Sequence, residues 1–277
     1  MCNLGLTYCF LADYSKAVKY HQKQLLLAQE VTDAEGECRA RVNLGNVFCA
    51  LGKFPAAIEQ QEQALSIAQK LEDRYSECAT FGNLGNAYNY LGEYYKAMEF
   101  YQQQLELAQK TKDRATESIA LGNIGTVYSA LNQHEQALDY QRKRLVIARI
   151  IRDRDGEGKS LGNIGVEYAA LGKYSESIEY YEQRLAIAQK IGDFCGEASG
   201  LVNLGESLAK LGRNSEVLNC LQRSLKIFHE IGLIFREEQV LRILIELCHK
   251  SQRHLLAMKY RFMLCIIKRL KINQNAT

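Results

Sequence analysis

The sequence predicts an all-α protein, a right-handed α-solenoid of about seven stacked helix–turn–helix repeats. Three observations lead there. The 277 residues divide into six blocks of 40 and one of 37 that align without an insertion or deletion. A single proline leaves almost nothing to interrupt a helix. Within a block the apolar residues fall at helical spacing: Phe81, Leu84, Gly85, Tyr88 and Leu91 stand at i, i+3, i+4, i+7 and i+10. Neither helix of a block buries its apolar face alone, so neighbouring blocks must stack.

The first helix of each block is anchored by Leu4-Gly5-x-x-Tyr8, which recurs as Leu44-Gly45-x-x-Phe48, Leu84-Gly85-x-x-Tyr88, Ile124-Gly125-x-x-Tyr128 and Ile164-Gly165-x-x-Tyr168. A weaker copy is Leu204-Gly205-x-x-Leu208. Gly52, Gly92, Gly172 and Gly212 follow the last apolar residue, where glycine stops a helix. The second helix of the third block carries Tyr94, Ala97, Met98, Tyr101, Leu105 and Ala108, and Pro55 falls at the start of its counterpart, where the missing N–H does no harm. Each helix is then about 18 residues, roughly 27 Å long. The Gly5 column is expected to let the paired helices approach. The small Ala17 column is expected to receive a large side chain from its neighbour, and Tyr20, Tyr140, Tyr180 and Tyr260 to pack between repeats.

Between blocks, Asp33, Asp73, Asp113, Asp153 and Asp193 stand where they cap the next first helix. Glu37, Glu77, Glu117, Glu157, Glu197 and Glu237 then place negative charge in its first turn, which suits the macrodipole. Capping explains this acidic ladder better than a metal does.

Residues 1–240 read as six such repeats, the first lacking its capped first turn. Residues 241–277 read as a degenerate seventh repeat that closes the stack as a basic cap, with Ile243 and Ile245 in place of the asparagine and glycine. That segment holds eight Lys/Arg and one Glu, a net +7, against 27 basic and 31 acidic residues before it. Its basic residues are scattered through an apolar helical pattern, which reads as a solvated outer face, and no nucleic-acid partner is expected. No apolar run reaches 18 residues, so no membrane insertion is expected. Nine cysteines without a C-x-x-C read as reduced thiols in a cytoplasmic protein.

The string L-G-x-x-Y, a small residue and a bulky residue four positions later resembles the tetratricopeptide repeat (TPR). The resemblance covers residues 1 to about 232 well and the remainder loosely. The period is 40 rather than 34, and Gln29, Gln69, Gln109, Arg149 and Gln189 stand near the place of the usual proline. Asn43-Leu44-Gly45-Asn46 and Asn83-Leu84-Gly85-Asn86 resemble most literally the Leu-Gly-Asn-repeat (LGN/Pins) type of G-protein signalling modulator, whose GoLoco motifs are missing from this sequence. Similar 40-residue repeats occur in kinesin light chains and in large multidomain signalling proteins.

One column resists a purely structural account. Asn3, Asn43, Asn83, Asn123, Asn163 and Asn203 occupy the middle of six first helices. Asparagine there costs up to about 0.7 kcal/mol relative to alanine, on the order of 3–4 kcal/mol for six. Around it the stripe changes from repeat to repeat: Arg39, Ala79, Ile119 and Lys159 four residues earlier, Asn46, Asn86 and Thr126 three later, Tyr90 seven later. A constant amide beside variable neighbours suits an extended peptide, whose main chain the amides bond while the variable positions select side chains. The resemblance implies the same role for Asn43, Asn83, Asn123, Asn163 and Asn203 in a concave groove. Asn46, Asn86 and Tyr90 flank it, and Arg39 and Lys159 are charge partners for an acidic ligand. The competing reading has the asparagines bridging repeats or surviving from duplication.

No phosphate loop, H-E-x-x-H or G-x-S-x-G is present, and Cys248, His249 and His254 make a weak zinc signal. The sequence therefore reads as a non-enzymatic scaffold or adaptor, without cofactor or metal. It binds an extended segment of a protein partner, in signalling or cell-polarity assemblies if the resemblance holds. The alternative is a regulatory or oligomerising arm of a larger protein that contacts its own chain. The oligomeric state is left open.

Overall fold

The computed structural model describes residues 2–250 and 252–274, with side chains from residue 4 to 250 and 252 to 267. The described residues form fourteen α-helices. They are α1 (Cys2–Phe10), α2 (Tyr14–Glu30), α3 (Ala34–Ala50), α4 (Phe54–Lys70), α5 (Arg74–Tyr90), α6 (Tyr94–Thr111) and α7 (Arg114–Ala130). There follow α8 (His134–Ile150), α9 (Arg154–Ala170), α10 (Tyr174–Ile191), α11 (Phe194–Lys210), α12 (Asn214–Glu230), α13 (Ile234–Lys250) and α14 (His254–Gln274). Odd-numbered helices are the first helices of the repeats, even-numbered ones the second. Two compact units share them, one running through Ile147 and the other starting at Ala148, inside α8.

In the first unit α1 to α7 pack each on the next, and α3 also packs on α5. In the second unit α9 to α14 pack each on the next, and α9 also meets α11. This is the neighbour-only order of a solenoid, with first helices side by side.

The caps follow the sequence. Asp33, Asp153 and Asp193 each accept from the backbone N–H three residues on, at 2.8–2.9 Å. Asp73 and Asp113 each accept from two. Gly52, Gly92, Gly172 and Gly212 sit at φ of +70 to +79°, the left-handed turn that ends each first helix.

The glycine column packs the paired helices closely through side chains of the second helix. Four of its glycines lie under one large side chain of the second helix: Gln61 over Gly45, the Tyr101 ring over Gly85, Gln141 over Gly125, the Tyr181 ring over Gly165. Those four side chains are buried. A Cβ on Gly85 would stand 2.5 Å from the Tyr101 ring. A second register behaves alike: Gly82 lies against Gln104, Gly122 against Arg144, Gly162 against Arg184. Where that glycine is Val42 or Val202, the residue opposite shrinks to Ala64 or Ser224.

The acidic ladder does more than satisfy helix dipoles. Each glutamate takes a bond from the end of the preceding second helix, clasping successive repeats. Gln29 donates to Glu37 (3.1 Å), Gln69 to Glu77 (3.4 Å), Gln109 to Glu117 (3.2 Å), Arg149 to Glu157 (2.9 Å) and Gln189 to Glu197 (2.7 Å). His229 meets Glu237 at 3.1 Å in the same register. The residues standing in place of the usual proline are thus the donors of the clasp. Burial works to raise the Glu157 carboxyl, but the bonds from Arg149 and Arg154 outweigh it and hold it below the usual carboxylate range.

One packing expectation is corrected. Tyr20, Tyr140 and Tyr180 stack within their own repeats, on Tyr8, Tyr128 and Tyr168, with ring centroids 5.3 Å apart. The tight turn brings the end of one helix against the start of the next. Tyr260 alone of that register bonds across repeats, through Gln222 (2.8 Å). In the small column, Ala97 is buried in one cluster with Tyr101, Ile124 and Val127, and the Ser177 and Ser207 hydroxyls lie 2.7 Å apart. Cys248 is core, as its register implied. The segment read as a cap has an outward side on α14 bearing Leu255, Met258, Phe262 and Ile266, all exposed. The side chains of Lys268, Arg269 and Lys271, part of its basic character, lie outside the described residues.

Two outcomes follow from this packing. Gly85→Ala lowers the unfolding midpoint, because displacing a buried ring costs about 1–3 kcal/mol. Gly205→Ala raises it by about 0.5–1 kcal/mol of stability, since its nearest neighbour is an ordinary 3.7 Å away and alanine favours the helix. Denaturant titration of both variants checks the opposite signs. The clasp makes stability depend on pH. The wild-type advantage over Glu157→Gln is full above the ordinary glutamate range near pH 4–5 and is lost as pH falls through the lower folded value. Thermal melts of both proteins between pH 7 and 3 read it directly.

Candidate functional site

The asparagines stand in the middle of the first helices, in α3, α5 and α7 of the first unit and in α9 and α11 of the second. All five are half-buried, each followed by a buried Leu or Ile. Asn83, Asn123, Asn163 and Asn203 have no hydrogen-bond partner among the described residues. Asn43 has an interaction within the chain. For these four, an inter-repeat bridge is therefore not what holds the column.

The flanking positions are more engaged than the sequence suggested. Asn46 Oδ1 accepts from Gln61 Nε2 (3.1 Å), and Asn86 Oδ1 accepts from the Tyr101 hydroxyl (2.7 Å). Both bonds tie the exposed face to the side chain that covers the glycine. Each leaves the Nδ2 donors of an exposed asparagine without a partner among the described residues. Tyr90 is 68% exposed, with one ring face stacked on Phe54 at 5.4 Å. Lys159 pairs with Asp155 at 2.5 Å, both more than half exposed, so this pair exchanges easily for a ligand carboxylate. Arg39 is exposed.

Clefts open along the first helices in both units. In the first, α5, α6 and α7 enclose about 390 Å³, with Asn83 and Asn123 at its sides. Gln104 lines it as well, 5% exposed, its Oε1 buried without a partner. The charged groups there are already matched. Arg74 donates to Glu77 (2.7 Å), and Asp113 caps α7. The Thr116 hydroxyl and backbone N–H hold the Asp113 carboxyl below its ordinary value. Burial pushes the Cys78 thiol up to about 11, so it stays protonated and inert at neutral pH. In the second unit a cleft of about 640 Å³ is lined by Asn203 and Glu206 of α11, Phe228 of α12 and Arg236, Arg242 and Ile243 of α13. Both volumes lie in the range of small-molecule and side-chain pockets.

The arrangement offers amide donors and acceptors with no nucleophile–base pair, and no group of three metal-ligating side chains occurs among the described residues. No helix of the described residues is long and apolar enough to cross a membrane. Gln104 was missed by sequence reasoning. It is found by comparing the Gly82 column with the residue 22 positions on, where Gln104, Arg144 and Arg184 stand opposite glycines.

Among solved structures, the chain is similar to apo RapI over 99% of its length and 97% of that chain, at 16% identity and a TM-score of 0.75. It is similar to a Rap protein complexed with Competence and Sporulation Factor over 99% of its length and 75% of that chain, at 17% identity and a TM-score of 0.69. A third is a signal transduction ATPase with numerous domains from Pyrococcus horikoshii, bearing a tetratricopeptide repeat sensor. There 96% of this chain covers 42% of that one, at 20% identity and a TM-score of 0.70. At these identities the likeness is one of fold. No curated protein matches the sequence. The narrower resemblance to Leu-Gly-Asn-type modulators gains no support from these relatives. The tetratricopeptide repeat profile matches residues 1–70, 76–150 and 156–230, and the chain belongs to that family.

Proposed function

We propose that this tetratricopeptide repeat protein is a non-enzymatic scaffold that holds an extended segment of a partner protein against its first helices. The observation that carries the reading is four half-buried amides of the asparagine column, Asn83, Asn123, Asn163 and Asn203, which are unfavourable in a helix and have no hydrogen-bond partner among the described residues. An amide held this way offers one acceptor and two donors to a peptide main chain, whatever its sequence. Asn43, Asn83 and Asn123 would serve one unit, and Asn163 and Asn203 the other. Asn46, Asn86 and Tyr90 contribute their free donors and free ring face. Arg39 and Lys159 favour an acidic residue in the bound segment. The Rap protein complexed with Competence and Sporulation Factor, a chain of the same fold, supports the class of activity.

The test separates binding from stability. Peptides selected from a displayed random 12-residue library on the wild-type chain are titrated against Asn83→Ala/Asn123→Ala and Asn163→Ala/Asn203→Ala double variants. Affinity falls at least about tenfold for at least one pair, roughly 1.4 kcal/mol or more. The unfolding midpoint of both stays level or rises, since alanine is the better helix former by up to about 0.7 kcal/mol per site. Unchanged affinity, or a loss of stability matching the loss of binding, contradicts the reading.

A further inference from the structure

The cleft between α5, α6 and α7 differs from its counterparts in one way that bears on specificity. At the register of Gln104 the next two repeats carry Arg144 and Arg184, each lying against the glycine of its first helix. Around Arg184 the corresponding cleft, between Asp155, Lys159 and Asp193, has closed to about 40 Å³. Around Gln104 it holds about 390 Å³. With Ala79 and Gln104 in place of Lys159 and Arg184, the shorter side chains leave a cleft lined by a carboxamide that has no hydrogen-bond partner among the described residues.

Three unpartnered carboxamides therefore share this cleft: Gln104, Asn83 and Asn123. An unmet amide oxygen, 95% buried with its residue, is costly unless something supplies a donor. The charges at the rim are engaged, Arg74 by Glu77 and Asp113 by the α7 cap, so an ionic group entering here would compete with these partners for a counter-charge while losing its hydration. A neutral group with both donors and acceptors matches all three amides at once. Gln104 stands on the second helix α6 and is 5% exposed, whereas Asn83 and Asn123 stand half-buried on the first helices, so a side chain rather than a main chain suits it.

We propose that this cleft is a specificity subsite for the side-chain carboxamide of an asparagine or glutamine in the bound segment. The proposal rests on the peptide-binding reading above and names what one of its positions selects.

Two measurements on the full chain test it. The first uses propionamide as probe, with propionate and propylammonium as charged controls of similar size, followed by the side-chain amide signals in ¹⁵N NMR spectra. Propionamide shifts the Gln104, Asn83 and Asn123 signals, with an affinity at least about tenfold above either control. Gln104→Arg, which copies what the fold already accepts under Gly122 and Gly162, abolishes binding. Gln104→Met, which keeps the length and removes the amide, weakens it, and the melting curves of both variants confirm folding. Propionamide binding no better than the controls, or equal in both variants, overturns the proposal. In the second, 12-residue peptides selected on the wild type carry Asn or Gln at one fixed position. Selection on Gln104→Arg loses that preference while still yielding binders. Binders without the preference overturn the subsite and leave the peptide reading standing. Bound propionamide with no peptide captured overturns the proposal through the reading it rests on.

Discussion

The first five repeats depend on one relation of size: a glycine in the first helix makes room for a large buried side chain of the second. Gly45 and Gln61, Gly85 and Tyr101, Gly125 and Gln141, Gly165 and Tyr181 repeat it down the chain. Because interiors are close-packed, a methyl group added at such a glycine has nowhere to go. The register at Gly82 obeys the same rule with exchanged partners, glycine facing Gln104, Arg144 and Arg184, valine facing Ala64 and Ser224. Period and pairing then follow, since a one-residue shift of either helix would set large against large.

The same relation organises the outer face. The side chains that cross over glycine are polar at their tips, so Gln61 and Tyr101 reach Asn46 and Asn86 and fix their orientation from below. Asn83 and Asn123 beside one cleft, and Asn203 beside the other, are left without hydrogen-bond partners among the described residues. A buried packing rule thus presents amides in a fixed geometry, which is what main-chain recognition needs if ordering costs are to stay low. The clasp of Gln or Arg on the first-turn glutamates keeps successive first helices in step, so spacing along the face is set by the fold.

Much of this was legible in the sequence. Helix bounds, aspartate caps, glycine stops and the core register all follow from local periodicity, and the structure reproduces them. What was not legible required knowing which columns face each other. The Gly85 column read as helix approach, because nothing in one helix says that Tyr101 lies across it. Glu157 read as a dipole partner, because its bond to Arg149 joins two repeats. Tyr140 read as inter-repeat packing, although the turn folds it back on Tyr128. The asparagine column was visible as an oddity. Gln104 was not, since an open cleft is a property of three helices together.

The account's central claim is that the unpartnered asparagines bind a main chain. A crystal structure of the full chain with one peptide selected from the random library tests it most directly. The account predicts Nδ2 and Oδ1 atoms of Asn83 and Asn123, or of Asn163 and Asn203, about 2.7–3.2 Å from ligand backbone groups. A peptide seated on the second helices, or one held through side chains alone with these amides facing water, would contradict it.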